Sequence, residues 1–210
     1  MAHYAHEAVR PRPPRALPER IGYQLPVADA SQWAAMTNYL VGRGLSHQLA
    51  SANDWYPSTS AGDAFPRVVI PAHGNLTTGF WQARAMAPVE PRWQSPHGPR
   101  GDAVVVVFPR AVAGPAVVVE GPMCALAAAE MGCYAIALLG ATPPYVAMAY
   151  VIERLLGFAS IVVVADRDRP DLAARWVAPL SNAGPTRLVV PTLAKDLAEH
   201  TPEQRRSLLA

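Results

Sequence analysis

Three carboxylates in this sequence stand where short apolar runs end. Val117-Val118-Val119 is followed by Glu120-Gly121-Pro122, and Ile161-Val162-Val163-Val164-Ala165 by Asp166-Arg167-Asp168. Short β-branched runs of this kind predict strands buried on both faces, as in a parallel sheet covered by helices. Ligands of such sheets collect just outside the carboxyl ends of the strands, so the three acids are expected to converge on one rim. Hard oxygen ligands with few cationic neighbours suit Mg2+ or Mn2+. Asp166 and Asp168, two apart at a strand end, can point to one side and share a metal. Glu120 can bind a metal or accept a proton. Acids packed this closely repel one another and raise the last pKa, a strain that a bound cation relieves.

The elements that must position these acids follow from the pattern around them. Apolar runs at Ala116–Val119, Tyr134–Leu138, Ser160–Ala165 and Thr186–Val190 alternate with helical stretches at Pro122–Met131, Pro144–Leu156 and Pro170–Leu180. Each helix opens at or near a proline, which suits a first turn, and Gly132 and Gly157 fit helix ends. Such alternation predicts an α/β domain over residues 113–210, with a parallel four-stranded sheet flanked by helices. Leu139-Gly140-Ala141-Thr142 follows the second strand, where Gly140 either permits a close approach of backbone or phosphate or is a plain turn glycine.

Upstream, residues 27–112 predict a smaller α+β subdomain. Asp29-Ala30-Ser31 offers an N-cap to a helix over Gln32–Val41, and Ser46 caps a second one ending at Ala52. After a Pro-, Ser- and Gly-rich loop at 54–66 comes a β-hairpin: a strand over Arg67–Ala72, turn residues His73-Gly74-Asn75, and a strand over Thr78–Met86. Period-two alternation puts Gln82 and Arg84 on one face of the second strand. Val104–Phe108 is a further apolar strand joining the two subdomains. Residues 1–26 interleave Arg10, Arg12, Arg15 and Arg20 with four prolines. They are expected to be a disordered arm or a basic arm that touches phosphate or a partner.

Composition sets bounds on function. The 210 residues are 51% hydrophobic and 16% charged, which supports a substantial core, and the net charge is only +2. Nucleic-acid binding must then come from local patches and not from the global field. Cys124 and Cys133 are expected to be small buried hydrophobes. No Cys/His set has zinc spacing, so zinc is not expected. No apolar run is long enough to span a bilayer and no secretory segment opens the chain, which points to a soluble, cytoplasmic protein without a membrane partner.

Glu120-Gly121 after a strand, then a helix, then Asp166-x-Asp168 after another strand, resembles the Toprim domain shared by primases, topoisomerases and some nucleases. The resemblance covers roughly residues 115–200. A weaker similarity to primase catalytic cores extends upstream through Tyr39-Leu40-Val41-Gly42-Arg43-Gly44-Leu45, through Gly79-Phe80 with Arg84, and through Pro91-Arg92-Trp93-Gln94-Ser95-Pro96. Outside the resemblance, Arg43 is simply a cation at a helix C-terminus and Arg84 and Arg92 are exposed arginines on a sheet edge. Within it, Arg84 and Arg92 contact nucleotide phosphates or a nucleic-acid backbone, for which the planar guanidinium is suited. Lys195-Asp196 matches the segment after the last Toprim strand, or it opens a capped surface helix. The resemblance thus implies catalytic and metal-binding roles for Glu120, Asp166 and Asp168, a further metal ligand in Asp196, and nucleotide contacts from Gly121 and Lys195.

The implied activity is a Mg2+-dependent DNA-directed RNA polymerase of the primase type. Its expected partners are a single-stranded DNA template and ribonucleoside triphosphates. Arg169-Pro170-Asp171 departs from the small residue and glycine usual after the second family aspartate. No zinc-binding module and no Gly-x-x-x-x-Gly-Lys-Ser/Thr phosphate loop are present, so a replicative helicase or a template-recognition module would be a separate protein. The expectation is a stand-alone polymerisation core of the kind carried by phages and mobile elements. The alternatives are a Toprim nuclease using the same acids for hydrolysis, and a non-catalytic accessory module binding nucleic acid or a helicase.

Overall fold

The structure, a computed structural model, describes residues 29–59, 66–77, 79–96 and 99–210. The proline- and arginine-rich arm expected over 1–26 lies outside the described residues.

The first unit opens with helix α1 (Ala30–Gly42). Its N-terminus is closed reciprocally: the Asp29 carboxylate accepts from the Gln32 N–H at 2.8 Å, and Gln32 Oε1 accepts from the Asp29 N–H at 3.1 Å. This capping box satisfies two donors that a bare helix end would leave open. Helix α2 (His47–Ala52) is capped by Ser46. A four-stranded antiparallel sheet follows, in the order β1 (Tyr56–Ser58), β2 (Arg67–Pro71), β3 (Trp81–Ala85), β4 (Trp93–Gln94). The predicted hairpin is β2–β3, in the register Val68 to Arg84 and Ile70 to Gln82. Strand β1 lies inside the stretch expected to be loop. It carries Pro57, which lacks a donor, and it sits at the sheet edge where that loss is tolerated.

The second unit runs β5 (Val105–Val107), β6 (Ala116–Val119), α3 (Pro122–Glu130), β7 (Tyr134–Ala137), α4 (Tyr145–Leu155), β8 (Ile161–Val164), α5 (Pro170–Leu180) and β9 (Thr186–Val189). A 3-10 turn (Leu197–Glu199) and α6 (Pro202–Leu209) complete it. The sheet order is β5-β7-β6-β8-β9. The expected purely parallel, four-stranded sheet is corrected to a mixed sheet of five. Strands β7, β6, β8 and β9 are parallel, and β5 adds an antiparallel edge on β7. An apolar run carries no direction, so Val105–Val107 could be read as a strand but not assigned to this sheet. Its three valines are buried; β7 pairs with one side of the strand, and on the other the Val106 N–H donates to His73 Nδ1 at 3.3 Å.

Side-chain alternation divides the core. Val105, Val107, Val117 and Val119 face α3, while Val106, Val118, Ile161 and Val163 face α4 and α5. Pro122 through Ala129 of α3 are all buried, because the sheet covers one side of this helix and the first unit the other. A helix apolar all round is what such a position requires. Met36, Leu40, Leu49, Val68 and Ile70 of the first unit join the α3 face in one continuous core. Among the described residues no helix is long and apolar enough to cross a membrane.

The strand order also fixes where a ligand fits. From β6 the chain moves to one side, through α3 to β7, then returns across the sheet through α4 to β8 on the other side. The loops leaving β6 and β8 therefore diverge, and a crevice opens between them at this topological switch point.

Candidate active site

Glu120 and Gly121 leave β6 on one side of that crevice, and Asp166 to Arg169 leave β8 on the other. Glu120 is half-buried, and its carbonyl accepts from the Leu139 N–H at 2.9 Å. Burial pushes the Glu120 carboxyl above its ordinary range; Arg169 opposes the shift, Asp168 adds to it and Lys195 opposes it. Asp166 is pushed up to about 6, first by burial, then by the charges of Glu120 and Asp196, with Lys195 working the other way. Asp168 is exposed and behaves oppositely: the hydrogen bond from Lys195 holds its carboxyl below the usual range, against a small desolvation effect. The Lys195 Nζ to Asp168 Oδ2 distance is 3.1 Å, and Asp168 in turn holds Lys195 above its ordinary value. Asp196 stands one residue on, and its Oδ1 caps the 3-10 turn by accepting from the Glu199 N–H at 3.2 Å.

The structure thus brings Glu120, Asp166, Asp168, Lys195 and Asp196 into one electrostatic cluster. A backbone bond ties its two loops together, with the Arg167 N–H donating to the Lys195 carbonyl at 2.7 Å. Mutual repulsion among the acids, expected from their spacing, is what raises Asp166 beyond the effect of burial. Gly121 has extended backbone and caps α3, and a Cβ added there would meet nothing within 4 Å. Packing within the chain does not demand a glycine at this point. What glycine provides is bare backbone beside Glu120.

Among the described residues, no three His, Cys, Asp or Glu side chains are gathered tightly enough to hold a metal ion by themselves. Asp168 is turned instead to Lys195. The donor chemistry nevertheless fits Mg2+ or Mn2+. The ligands are hard oxygens under mutual repulsion, and Mg2+ is commonly held by only one or two carboxylates, with water and substrate phosphates completing its shell.

Arg84 stands on β3 of the first sheet and Arg92 just before β4, while the cations acting on the acids are Arg169 and Lys195. Arg84 faces Val68 on one neighbouring strand and Trp93 on the other. Its Nε donates to the Tyr39 hydroxyl at 3.2 Å, and its guanidinium lies 5.0 Å from the Trp93 ring centroid. Arg43 lies 5.8 Å from the Tyr39 ring centroid, and its Nε is buried without a hydrogen-bond partner among the described residues. Arg43 is therefore more than a helix-terminal cation, since it shares Tyr39 with Arg84. Arg92 is exposed; its N–H donates to Glu90 at 2.9 Å and its carbonyl accepts from Ala85 at 3.0 Å. Two guanidiniums against two aromatic rings, with no carboxylate partner among the described residues, form a surface suited to phosphates and stacked bases.

Three residues escaped the sequence reading. Arg169 acts directly on Glu120, and its place right after Asp168 was the available signal. Arg205 and Glu130 form a buried ion pair at 2.9 Å, and nothing in their sequence neighbourhoods announces it. Cys124 and Cys133 are free and buried, as expected.

Among solved structures, the chain is similar to the DnaG primase catalytic domain bound to single-stranded DNA, with a TM-score of 0.62 at 15% identity over 85% of this chain and 74% of that one. It is similar to the Aquifex aeolicus primase structure comprising zinc-binding and RNA polymerase domains, with a TM-score of 0.61 at 15% identity over 82% of this chain and 54% of the other. A third likeness is to a bacteriophage T7 structure of the lagging-strand DNA polymerase with primase domains of two gp4 subunits, bound to an RNA/DNA hybrid and dTTP. There the TM-score is 0.58 at 19% identity, over 82% and 75% of the two chains. The fold is primase-like. No family model matches the sequence, and no curated protein is similar to it at a significant level.

Proposed function

We propose that this chain is a primase-like nucleotidyltransferase of the Toprim type, making short RNA primers on single-stranded DNA. The observation that carries the reading is the acid cluster at the switch point of a primase-like fold, with Asp166 held up to about 6 by burial and by the charges of its neighbours. Such a group is poised for a cation or a proton at neutral pH.

In the reaction the 3′-hydroxyl of the growing primer attacks the α-phosphorus of a ribonucleoside triphosphate. A new P–O bond forms, and the bond to the pyrophosphate oxygen breaks. Glu120, whose partly buried carboxylate binds a proton more tightly than usual, accepts the hydroxyl proton. Lys195, already drawn to the rim by Asp168, offsets charge on the departing phosphates. Gly121 lets the triphosphate approach the backbone. Arg84 and Arg92, with Arg43, hold the strand on the first sheet, where Trp93 and Tyr39 offer ring faces. Asp166 with Glu120, Asp168 and Asp196 would hold Mg2+ or Mn2+, which when bound lowers the pKa of the attacking hydroxyl and neutralises phosphate charge.

The test is primer synthesis from labelled ribonucleotides on single-stranded templates with Mg2+ or Mn2+. Template-dependent products of a few nucleotides support the reading. Absence of product with every template and metal overturns it, and metal-dependent strand degradation without nucleotides assigns the acids to hydrolysis.

A further inference from the structure

The 3-10 turn that carries Lys195 and Asp196 to the rim lies beyond the last strand; Leu197 and Ala198 pack into the core, and the Arg167 N–H holds the Lys195 carbonyl. The polar hold on the turn itself comes from a side chain of the final helix. Arg205, 1% exposed, donates from Nε to the Leu197 carbonyl at 3.3 Å and from Nη2 to the Ala198 carbonyl at 2.8 Å. Its Nη1 donates to the Gly44 carbonyl at 3.1 Å and to Glu130 Oε2 at 2.9 Å. The other oxygen of Glu130 accepts from the Ser46 N–H. One guanidinium therefore joins the turn, the end of α3 and the α1–α2 junction. Helix α3 packs against the turn, and its Cys124 is buried in the same core as Leu197 and Ala198. From the turn the path runs on through Lys195 to Asp168.

Burying this pair is costly, and burial shifts both groups toward their neutral forms: it lowers Arg205 and raises Glu130. Apolar side chains of similar volume often replace such a pair without loss of stability. What they cannot replace is the geometry of four directed donations from one planar fork.

We infer that Arg205 is a positioning residue of the rim. By fixing the Leu197 and Ala198 carbonyls against Glu130 and Gly44, it sets where Lys195 and Asp196 stand relative to Asp166 and Asp168. It also couples that position to the first unit, one residue from Arg43. Its catalytic consequence rests on the nucleotidyl-transfer reading above; its geometric one does not.

Two measurements on Arg205→Lys, which keeps the charge and loses the fork, decide the matter. The first is the rate of thiol modification by 5,5′-dithiobis(2-nitrobenzoate), resolved by peptide mapping. Cys124 lies under the turn, whereas Cys133 is buried beside Gly114 at the start of β7 and reports global opening. The expected result is labelling of Cys124 at least ten-fold faster with Cys133 unchanged. Equal acceleration of both thiols, or of neither, overturns the inference. The second is a double-mutant cycle on primer synthesis. Arg205→Lys is expected to lower kcat by roughly ten-fold or more, as small misplacements in a site do. Combined with Lys195→Met/Asp196→Asn, it should be no worse than Lys195→Met/Asp196→Asn alone; additive losses would show that Arg205 does not act through the turn. If the wild-type protein makes no primer, the nucleotidyl-transfer reading fails while the labelling result still decides the positioning. Glu130→Gln, which keeps the shape and weakens the pair, should reproduce the Cys124 effect in smaller measure, and the absence of any effect would count against the inference.

Discussion

Replacing Asp166 by Asn should stabilise the protein while removing its activity. The carboxyl is pushed from 3.8 to about 6 by burial and by Glu120 and Asp196, and among the described residues it accepts no hydrogen bond that the substitution would break. A raised carboxyl pKa means that the folded state binds the proton more tightly than the unfolded chain. The cost to folding is therefore absent below about pH 4, grows as pH rises, and is complete above about pH 6. A rise of this size corresponds to about 3 kcal/mol at most, and screening of a group that is only half-buried reduces this to about 1–2 kcal/mol. For a domain of this size each kcal/mol moves Tm by about 2–4 °C, so Asp166→Asn should raise Tm by about 2–8 °C at pH 7.5. Below about pH 4 the gain should vanish, because the wild-type group is then neutral in both states. Thermal unfolding followed by circular dichroism in EDTA, at both pH values, measures this directly. An unchanged or lowered Tm at pH 7.5, or a gain independent of pH, would refute the electrostatic account of the rim.

Other outcomes follow from the same geometry. Gly121→Ala meets no steric obstacle within the protein, so Tm should move by no more than about 3 °C, while the apparent KM for nucleotide rises at least several-fold. Arg84→Lys keeps the charge but loses the stack on Trp93 and the fork beside Tyr39. Binding to labelled single-stranded DNA should weaken, with the salt dependence nearly unchanged, because the cation remains; unchanged affinity would show that charge alone matters there. Leu126→Ala, in the middle of α3 and fully buried, should cost about 2–5 kcal/mol in denaturant unfolding. A smaller loss would mean that α3 is not the packed centre of both units.

The elements around the acids were legible because each carries its own signal. The all-apolar strands at Ala116–Val119 and Ile161–Val164 end where the acids begin, and prolines open α3 and α5. The hairpin β2–β3 followed from alternation around Gly74. Pairing was less legible, because it depends on partners distant in the chain. Val105–Val107 looked like a connector and is a sheet edge, and Tyr56–Ser58 looked like loop because Pro57 hides an edge strand. At the site, the spacing of Glu120, Asp166 and Asp168 predicts their mutual repulsion, which adds to the burial that chiefly raises the carboxyl of Asp166. That Asp168 turns to Lys195, and that Arg205 bolts the turn from beneath, depends on contacts that close only in three dimensions. A buried arginine in a polar helix such as Pro202–Leu209 has no periodic signature to distinguish it from Arg206, which is exposed.

The central claim is that the acids of the β6–β8 crevice bind a divalent cation together with a nucleoside triphosphate. Electron paramagnetic resonance of Mn2+, titrated with and without a ribonucleoside triphosphate, tests it most directly. The account predicts a protein–Mn2+–nucleotide complex in the wild type, weakened at least ten-fold in Asp166→Asn/Asp168→Asn although that variant stays folded. Equal Mn2+ and nucleotide binding by the two proteins would contradict it.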